Sequence, residues 1–373
     1  MRNRRPNLIF LFSGRSQPLR RNFAKRFENL SGICRGYIFT LSSKRCRALG
    51  IGDFVLYTEA FRPSWLGLSL RRLWLQVYLA AKLIRKQAHI DAIISADPYA
   101  CGLAGVLLKA LLRTRLVVEV NGDFHRLEPA QGLAKRWVMR LVFFISMRSA
   151  DAIKVLNRDQ ENFFSRRYRS KKLFRFTDFV ATEYFQSLEC YEGNYLLAVG
   201  HPFALKGIDV LIRAFRLISH RHPTMELKIM GYCPERDLIV YKQLASGEAR
   251  IEFVKPGWIE DVGELMRGCY ALVNAARSEA LGRVHLEAMA CGKPVVATRT
   301  NGGMECVTDG ETGLLCEVGN AEDLSRKLDY LLSNPTLAAT MGRAGFNRLQ
   351  AEYCEKSYTQ SFASMLEELL AER

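Results

Sequence analysis

The stretch that decides the fold reads Ser278-Glu279-Ala280-Leu281-Gly282-Arg283-Val284-His285-Leu286-Glu287-Ala288-Met289-Ala290-Cys291-Gly292-Lys293-Pro294, and it runs into the apolar Val295-Val296-Ala297. Small and polar residues ending at Gly282 lead into good helix formers, and Gly292 with Pro294 predicts a helix stop before a buried strand. The pattern therefore places Glu279 in the loop that enters a short helix and Glu287 inside that helix.

The chemistry of this stretch suits a sugar attached to a phosphate. A helix N-terminus offers free N–H groups and the positive end of the helix dipole to a phosphate. Two carboxylates nearby can accept hydrogen bonds from sugar hydroxyls. The combination predicts a site for a nucleotide sugar.

The spacing of the two glutamates, within S-E-x-x-G-x-x-x-x-E-A-M-A-C-G-x-P-V-V-A, resembles the donor-site signature of family 4 glycosyltransferases, which are retaining enzymes of the GT-B fold. The flanks are similar as well: residues 302–315 resemble the family's loop, helix turn and short hairpin, and residues 196–200 lead to Lys206-Gly207 and an amphipathic helix. The resemblance covers roughly residues 90 to 370. It implies retaining transfer of a hexosyl group from a nucleotide sugar, with no cofactor and no metal ion.

Apolar strands alternate with amphipathic helices along the chain, which predicts parallel sheets with right-handed crossovers and ligands at the carboxyl ends of the strands. The predicted strands are Asn7–Phe12, Gly36–Leu41, Ala92–Ser95, Leu116–Val120, Ala152–Leu156, Tyr195–Val199, Glu226–Met230, Ile251–Val254, Ala271–Asn274, Val295–Thr298 and Gly313–Cys316.

A chain of 373 residues exceeds what one hydrophobic core normally fills, so two domains are expected. The resemblance implies an α/β GT-B protein with two Rossmann-like domains facing each other across a cleft. We expect residues 1–185 to form the acceptor-side domain and residues 186–354 the nucleotide-sugar domain. The last helix, about 355–373, is expected to pack back on the first domain.

The resemblance assigns donor-site roles to residues of the second half. Lys206 would bind the diphosphate, and the N–H groups of Leu281, Gly282 and Arg283 would meet the distal phosphate. Glu287 would accept hydrogen bonds from the ribose. Glu279 would hold the transferred sugar. It would also help to stabilise the positive charge that develops at the anomeric carbon of that sugar as the diphosphate departs.

The chain departs from the family at the position after the glycine that ends the strand, where His201 replaces the usual Arg. A neutral imidazole lacks the permanent charge and the bidentate fork of a guanidinium. Arg283, at the start of the helix, is a candidate to replace that charge, with an ordinary surface arginine as the alternative. Gly231, Trp258 and Ile259 resemble the family's wall on the base side of the nucleotide.

In the first half, Asn121 follows a strand at the position where relatives often carry a His. An amide can orient a hydroxyl but cannot take a proton, so no general base follows from this position. Asp123 and His125 are further candidates to help the acceptor. Gly14 follows the first strand where relatives use a pair of glycines to let the acceptor or the diphosphate approach the backbone.

Charge is distributed unevenly between the two halves. Residues 1–185 contain 34 Lys and Arg against 13 Asp and Glu, whereas the remainder contains 20 against 25. A basic half predicts a polyanionic partner, and we expect an anionic membrane surface and a glycan or lipid-linked acceptor. The expected membrane face lies where basic residues are close to Trp65 and Trp74, namely at Arg71, Arg72, Lys82, Arg85 and Lys86. No nucleic-acid module accompanies the charge, so nucleic acid is not an expected partner.

Apolar segments and cysteines indicate the compartment. No apolar segment is long enough to span a bilayer, and ten cysteines without a C-x-x-C pair indicate a reducing environment. We therefore expect a cytoplasmic protein bound peripherally to the inner face of the membrane, acting in lipopolysaccharide, capsule or other polysaccharide biosynthesis. The alternative is a catalytically inactive, membrane-associated GT-B scaffold. Two carboxylates also fit a retaining glycosidase, but their phosphate-binding surroundings argue against it.

Overall fold

A computed structural model describes residues 4–12, 21–42, 46–60, 89–122, 133–177, 193–255 and 259–371, together with 179, 180, 182 and 185. The chain divides into two compact units. One consists of Met1–Thr177 with Tyr358–Arg373, and the other of Asp178–Ser357.

The first unit is built on an eight-stranded sheet with the order β3-β4-β2-β1-β5-β6-β7-β8. Its strands are β1 (Asn7–Leu11), β2 (Arg35–Ser42), β3 (Cys46–Ile51), β4 (Phe54–Ala60), β5 (Ala92–Ser95), β6 (Arg115–Val120), β7 (Ala152–Val155) and β8 (Lys172–Arg175). Its described helices are α1 (Arg21–Leu30), α2 (Ala100–Leu112), α3 (Leu133–Ser149) and α4 (Arg158–Arg167). Neighbouring strands are parallel except β3, which is antiparallel to β4.

The second unit contains a six-stranded, fully parallel sheet with the order β11-β10-β9-β12-β13-β14. Its strands are β9 (Tyr195–Val199), β10 (Glu226–Met230), β11 (Ile251–Val254), β12 (Ala271–Asn274), β13 (Val295–Thr298) and β14 (Gly313–Cys316). Its described helices are α5 (Ile208–Ile218), α6 (Glu235–Leu244), α7 (Ile259–Gly268), α8 (Arg283–Ala290), α9 (Asn301–Cys306), α10 (Ala321–Leu332) and α11 (Pro335–Glu352). The predicted pair of Rossmann-like domains is confirmed.

Helix α5 illustrates how the sequence pattern forms this unit. Its residues Ile208, Leu211, Ile212 and Phe215 are buried in the core, because apolar residues recur at the helical period. Burial of this stripe holds the crossover between β9 and β10 against the sheet. The N-terminus of α5 consequently lies at the carboxyl end of β9.

The boundary of the second unit lies earlier than the sequence-based division at 185 and 186. Phe185 is fully buried, and its carbonyl accepts a hydrogen bond from the Cys291 thiol at 3.0 Å. Because Cys291 belongs to Asp178–Ser357, this contact places Phe185 with the second unit.

The last helix of the described chain, α12 (Glu355–Leu370), packs on the first unit. Phe362 is fully buried, and its ring stacks on Phe10 of β1 at a centroid distance of 6.0 Å. Lys172 Nζ donates to the carbonyl of Glu368 at 2.6 Å. From Tyr358 onward the helix is therefore part of the first unit.

None of the helices in the described part of the chain combines the length and apolar character needed to cross a lipid bilayer.

Candidate functional site

The strand order of the second sheet creates a switch point between β9 and β12. These two strands are parallel neighbours, with Leu196 paired to Ala271 and Leu197 to Leu272. The chain continues from β9 to one side of the sheet and from β12 to the other. The loops that follow, 200–207 and 275–282, therefore open a crevice at the carboxyl ends of the strands, where ligands bind in such folds.

Lys206 and Glu279 meet in this crevice. Lys206 Nζ donates to Glu279 Oε2, and the two side chains are 17% and 16% exposed. Gly200 makes room for the lysine, since a Cβ at position 200 would lie 2.9 Å from Lys206 Cε. The ion pair is thus held in place yet remains accessible to a ligand.

Arg277 connects the two loops, although no local sequence pattern marks it as a site residue. Its Nη1 and Nη2 each donate to a carboxylate oxygen of Asp209 at 2.8 Å, and Nη1 also donates to the carbonyl of Ala204 at 2.6 Å. Its backbone N–H donates to Leu205 at 2.8 Å. The hydrogen bonds from Arg277 lower the pKa of Asp209. The loop that carries Lys206 is therefore tied to the loop that carries Glu279.

Gly282 sets the start of α8. It adopts a left-handed conformation with φ 76° and ψ 61°, and a Cβ there would lie 2.3 Å from His285 Nδ1. Only glycine meets both demands without strain. The first-turn N–H groups at Arg283 and Val284 precede any intrahelical acceptor, so they are available to an anion.

The loop before α8 is fixed by α9. The carbonyl of Glu279 accepts the N–H of Gly302 at 2.7 Å, and the carbonyl of Leu281 accepts the Cys306 thiol at 2.9 Å. Residues 302–306, which belong to the downstream stretch that resembles the family, thus hold the loop that carries Glu279 in place.

His285 is a buried imidazole at the base of the site. The Asn274 side-chain oxygen, Oδ1, accepts a hydrogen bond from the N–H of Ala276 at 3.1 Å. The side-chain nitrogen of Asn274, Nδ2, therefore faces His285 Nε2 at 2.8 Å and donates a hydrogen bond to it. Nε2 is therefore an acceptor, and the proton of the neutral ring sits on Nδ1. Burial lowers the pKa of His285 to about 4, against a smaller opposite effect of Glu279.

Glu287 is partly buried in α8, one turn after Arg283. Burial raises the pKa of Glu287, and the exposed Arg283 acts in the opposite direction. Within the described residues its carboxylate makes no hydrogen bond or ion pair, so its oxygens are open to a ligand's hydroxyl groups.

Two further predicted residues, His201 and Gly231, follow the neighbouring strands β9 and β10. His201 is exposed directly after Gly200, whose N–H donates to Met230 at 3.0 Å. Gly231 follows β10, the neighbour of β9. Ile259 is the first residue of α7, and Trp258 lies outside the described residues.

In the first unit, Asn121 is exposed directly after β6. Its Nδ2 donates to the carbonyl of Ala96 and to Glu119 Oε2, both at 3.1 Å. Glu119 is buried and also accepts from Arg26 at 3.1 Å and from Lys154 at 3.3 Å. Both N–H groups of the amide are used, so Asn121 presents its oxygen as an acceptor.

Other predictions for the first unit fall on residues that the structure does not describe. They are Gly14, Asp123, His125 and the basic residues Arg71, Arg72, Lys82, Arg85 and Lys86. Among the described residues, no three His, Cys, Asp or Glu side chains converge in a way that could hold a metal ion.

Comparison with known proteins identifies the family. The sequence model described as Glycosyltransferase Family 4 matches residues 35–174, and the one described as Glycosyl transferases group 1 matches residues 181–348. An uncharacterized glycosyltransferase of Methanocaldococcus jannaschii is 30% identical over 275 residues, covering 73% of this chain and 74% of that protein. The chain belongs to glycosyltransferase family 4. The resemblance inferred from the sequence is confirmed.

Another relative of this family 4 glycosyltransferase is the lipopolysaccharide core biosynthesis glycosyltransferase LpsE of Rhizobium meliloti, 28% identical over 46% of this chain and 49% of that protein. Among solved structures, sucrose-phosphate synthase from Thermosynechococcus elongatus aligns with a TM-score of 0.82 at 20% identity, over 99% and 100% of the chains. Anabaena HepE in complex with UDP and glucose aligns with a TM-score of 0.75 at 18% identity, over 97% and 100%. These likenesses confirm the GT-B fold.

The depressed pKa of His285 predicts a specific loss of stability in acid. The unfolded-state pKa of a histidine is about 6.5. The neutral ring therefore stabilises the folded protein fully above that pH, and this contribution is lost as pH falls from about 6.5 towards 4. The loss is on the order of 3 kcal/mol.

Denaturant unfolding of the wild type, His285→Leu and the exposed-site control His220→Leu checks this. Between about pH 7 and pH 4.5 the free energy of unfolding should fall less for His285→Leu than for the other two proteins. Parallel pH profiles for all three would contradict a neutral buried His285.

Proposed function

We propose that this family 4 glycosyltransferase is a retaining enzyme that transfers a hexosyl group from a nucleoside diphosphate sugar to an acceptor hydroxyl without a metal ion. The observation that carries the proposal is the Lys206–Glu279 ion pair beside the N-terminus of α8. A cation, a set of free N–H groups and a carboxylate converge at the switch point, and together they match a diphosphate joined to a sugar.

Donor binding would break the ion pair, so that Lys206 contacts the diphosphate and Glu279 contacts the transferred sugar. Lys206 would turn from Glu279 to the diphosphate, and the first turn of α8 would bind the distal phosphate. Glu279 would then be free to accept a hydrogen bond from the transferred sugar. The carboxylate of Glu287 would accept hydrogen bonds from the ribose hydroxyl groups.

The transfer step would use the leaving phosphate as the base. The bond from the anomeric carbon to the phosphate oxygen breaks, and positive charge develops on the sugar near Glu279. The acceptor oxygen attacks from the same face and forms the new bond, while its proton passes to the departing phosphate oxygen. His285 is unsuited to be that base, since it is buried and its Nε2 is occupied by Asn274. Asn121 would orient a substrate hydroxyl through its free oxygen.

Arg283 is our proposal for the second cation of the donor site. His201 stands where relatives carry an Arg, and its neutral ring adds no permanent charge. Arg283 is exposed in the first turn of α8, at the same end of the helix as the free N–H groups. Its guanidinium would compensate the growing charge on the distal phosphate.

We propose a glycan or lipid-linked acceptor used in cell-surface polysaccharide biosynthesis, reached from the cytoplasmic face of the membrane. The relative named for lipopolysaccharide core biosynthesis and the basic charge of residues 1–185 support this choice. The alternative, an inactive scaffold of the same fold, would bind membrane but would neither bind nor turn over a donor.

A panel of nucleotide sugars tests the proposed activity. In buffer with EDTA, the correct donor should raise the melting temperature, because it binds only the folded state, and should be hydrolysed or transferred. A donor that includes UDP is the first to try, since HepE is described in complex with UDP and glucose. No shift and no turnover with any donor would favour the scaffold, and turnover only with added Mg²⁺ would contradict the metal-independent mechanism.

Replacing Lys206 should slow the reaction strongly. Lys206→Ala removes a charge-assisted contact worth about 1.5 to 3 kcal/mol, which is roughly ten- to hundredfold in rate if the contact forms in the transition state. The exposed lysine of α6 offers a matched control, Lys242→Ala, which should leave the rate unchanged. Rates within twofold of each other for the two variants would remove Lys206 from the site.

The two glutamates should affect different steps. Glu287→Ala should weaken binding of the free nucleoside diphosphate in calorimetry. Glu279→Ala should leave that affinity unchanged or increase it, because Lys206 no longer has to leave a partner, but should cut the transfer rate about a hundredfold or more. Glu311→Ala, an exposed carboxylate of the same unit, serves as the control. The reverse order of effects would overturn the assignment.

A further inference from the structure

Helix α3 exposes a row of large apolar side chains. Trp137, Val138, Leu141 and Phe144 are 68%, 60%, 59% and 50% exposed. Positions 137, 141 and 144 follow the helical spacing of one face, and 138 flanks it. We call these four residues the α3 face.

The charged residues of α3 itself are all basic, whereas the neighbouring α4, whose Phe164 ring lies 6.3 Å from that of Phe143, carries both signs. The sequence of α3 contains no Asp or Glu, but it contains Arg136, Arg140 and Arg148. The Arg140 guanidinium lies 5.8 Å from the centre of the Trp137 ring. Helix α2 packs beside α3 through the bond from Lys109 Nζ to Ser149 O at 2.8 Å, and it also lacks acidic residues.

Exposed apolar residues elsewhere have a different setting. In the second unit, Ile239 and Val240 of α6 are 52% and 61% exposed, but the same helix carries Glu235 and Asp237 in its first turn. Scattered residues of this kind are ordinary surface. An apolar row on a helix whose own charged residues are all basic is instead typical of a surface that lies on a membrane interface.

The α3 face lies near the end of the first unit where Asn121 is found. Helix α3 is the crossover between the parallel strands β6 and β7, so its N-terminal half starts at the carboxyl end of β6. Asn121 directly follows β6 at that same end. A surface that carries an acceptor would thus be placed beside the residue proposed to orient it.

We propose that the α3 face docks this protein on an anionic lipid bilayer, with Trp137 and Leu141 at the headgroup boundary and the arginines on lipid phosphates. The inference rests on the proposed lipid-linked acceptor and assigns its membrane contact to a defined helix. Each Arg near an anionic surface adds to the attraction, which decays within a Debye length and is therefore weakened by salt. A second copy of the chain is a poorer occupant, because an isologous contact would bring like charges together.

Vesicle co-sedimentation of the full chain tests the proposal, with vesicles of phosphatidylcholine alone or mixed with phosphatidylglycerol. The wild type should bind the mixed vesicles, lose binding as salt is raised, and bind neutral vesicles weakly. The double variant Trp137→Ser/Leu141→Ser should lower the partition coefficient about tenfold or more, and Arg136→Gln/Arg140→Gln should do so with a reduced salt dependence. The matched control Ile239→Ser/Val240→Ser should bind like the wild type.

Three results would overturn the inference: equal binding by the α3 variants and the control, no lipid preference in the wild type, or a dimer in light scattering that the α3 variants convert to a monomer. Thermal shift with a nucleotide sugar is measured on the same proteins. Because that donor site lies in the second unit, the α3 variants should keep the shift. If the α3 variants lose vesicle binding but keep the thermal shift, the α3 face acts in membrane binding and not in donor binding. If the wild type shows no thermal shift with any donor, the proposed transferase activity fails, and the result for the α3 face is unaffected.

Discussion

The ion pair between Lys206 and Glu279 depends on the parallel pairing of β9 with β12. That pairing brings together the loop after β9 and the loop after β12, from which the chain continues to opposite sides of the sheet. One loop carries Lys206 and the other carries Glu279. Arg277 then locks the loops to each other through the carboxylate of Asp209. Under the proposed function, a diphosphate that enters the crevice would meet a cation already positioned, and it would compete with Glu279 for that cation. The same competition would free Glu279 to contact the sugar, so the proposed phosphate binding and sugar binding would be coupled through this one ion pair.

Much of this arrangement could be predicted from the sequence, because the strands of a parallel sheet are buried on both faces and read as short apolar runs. The strands Tyr195–Val199 and Val295–Thr298 have the bounds that their composition predicts. Lys206 and Glu279 lie in the loops that follow β9 and β12, and Glu287 lies inside α8, as their sequence context predicts. Their individual positions were therefore predictable, whereas the direct pairing of Lys206 with Glu279 was not, because it depends on which strands become neighbours.

The missed features have physical reasons of the same kind. Strand β8, Lys172–Arg175, has a charge at each end and lies at the sheet edge, so it lacks the apolar run of a central strand. Strand β3 forms an antiparallel hairpin with β4, which breaks the alternation of strand and helix. The Arg277–Asp209 bond joins residues 68 positions apart, and His285 reads as an ordinary helix residue until Asn274 is placed against it. Long-range polar contacts leave no local pattern in the chain.

A crystal structure of the protein with the nucleoside diphosphate that gives the largest thermal shift tests the central claim most directly. The account predicts the diphosphate at the N-terminus of α8, with Lys206 Nζ about 2.8 Å from a phosphate oxygen and no longer bonded to Glu279. A diphosphate bound away from the crevice between the loops after β9 and β12, with the Lys206–Glu279 pair intact, would contradict it.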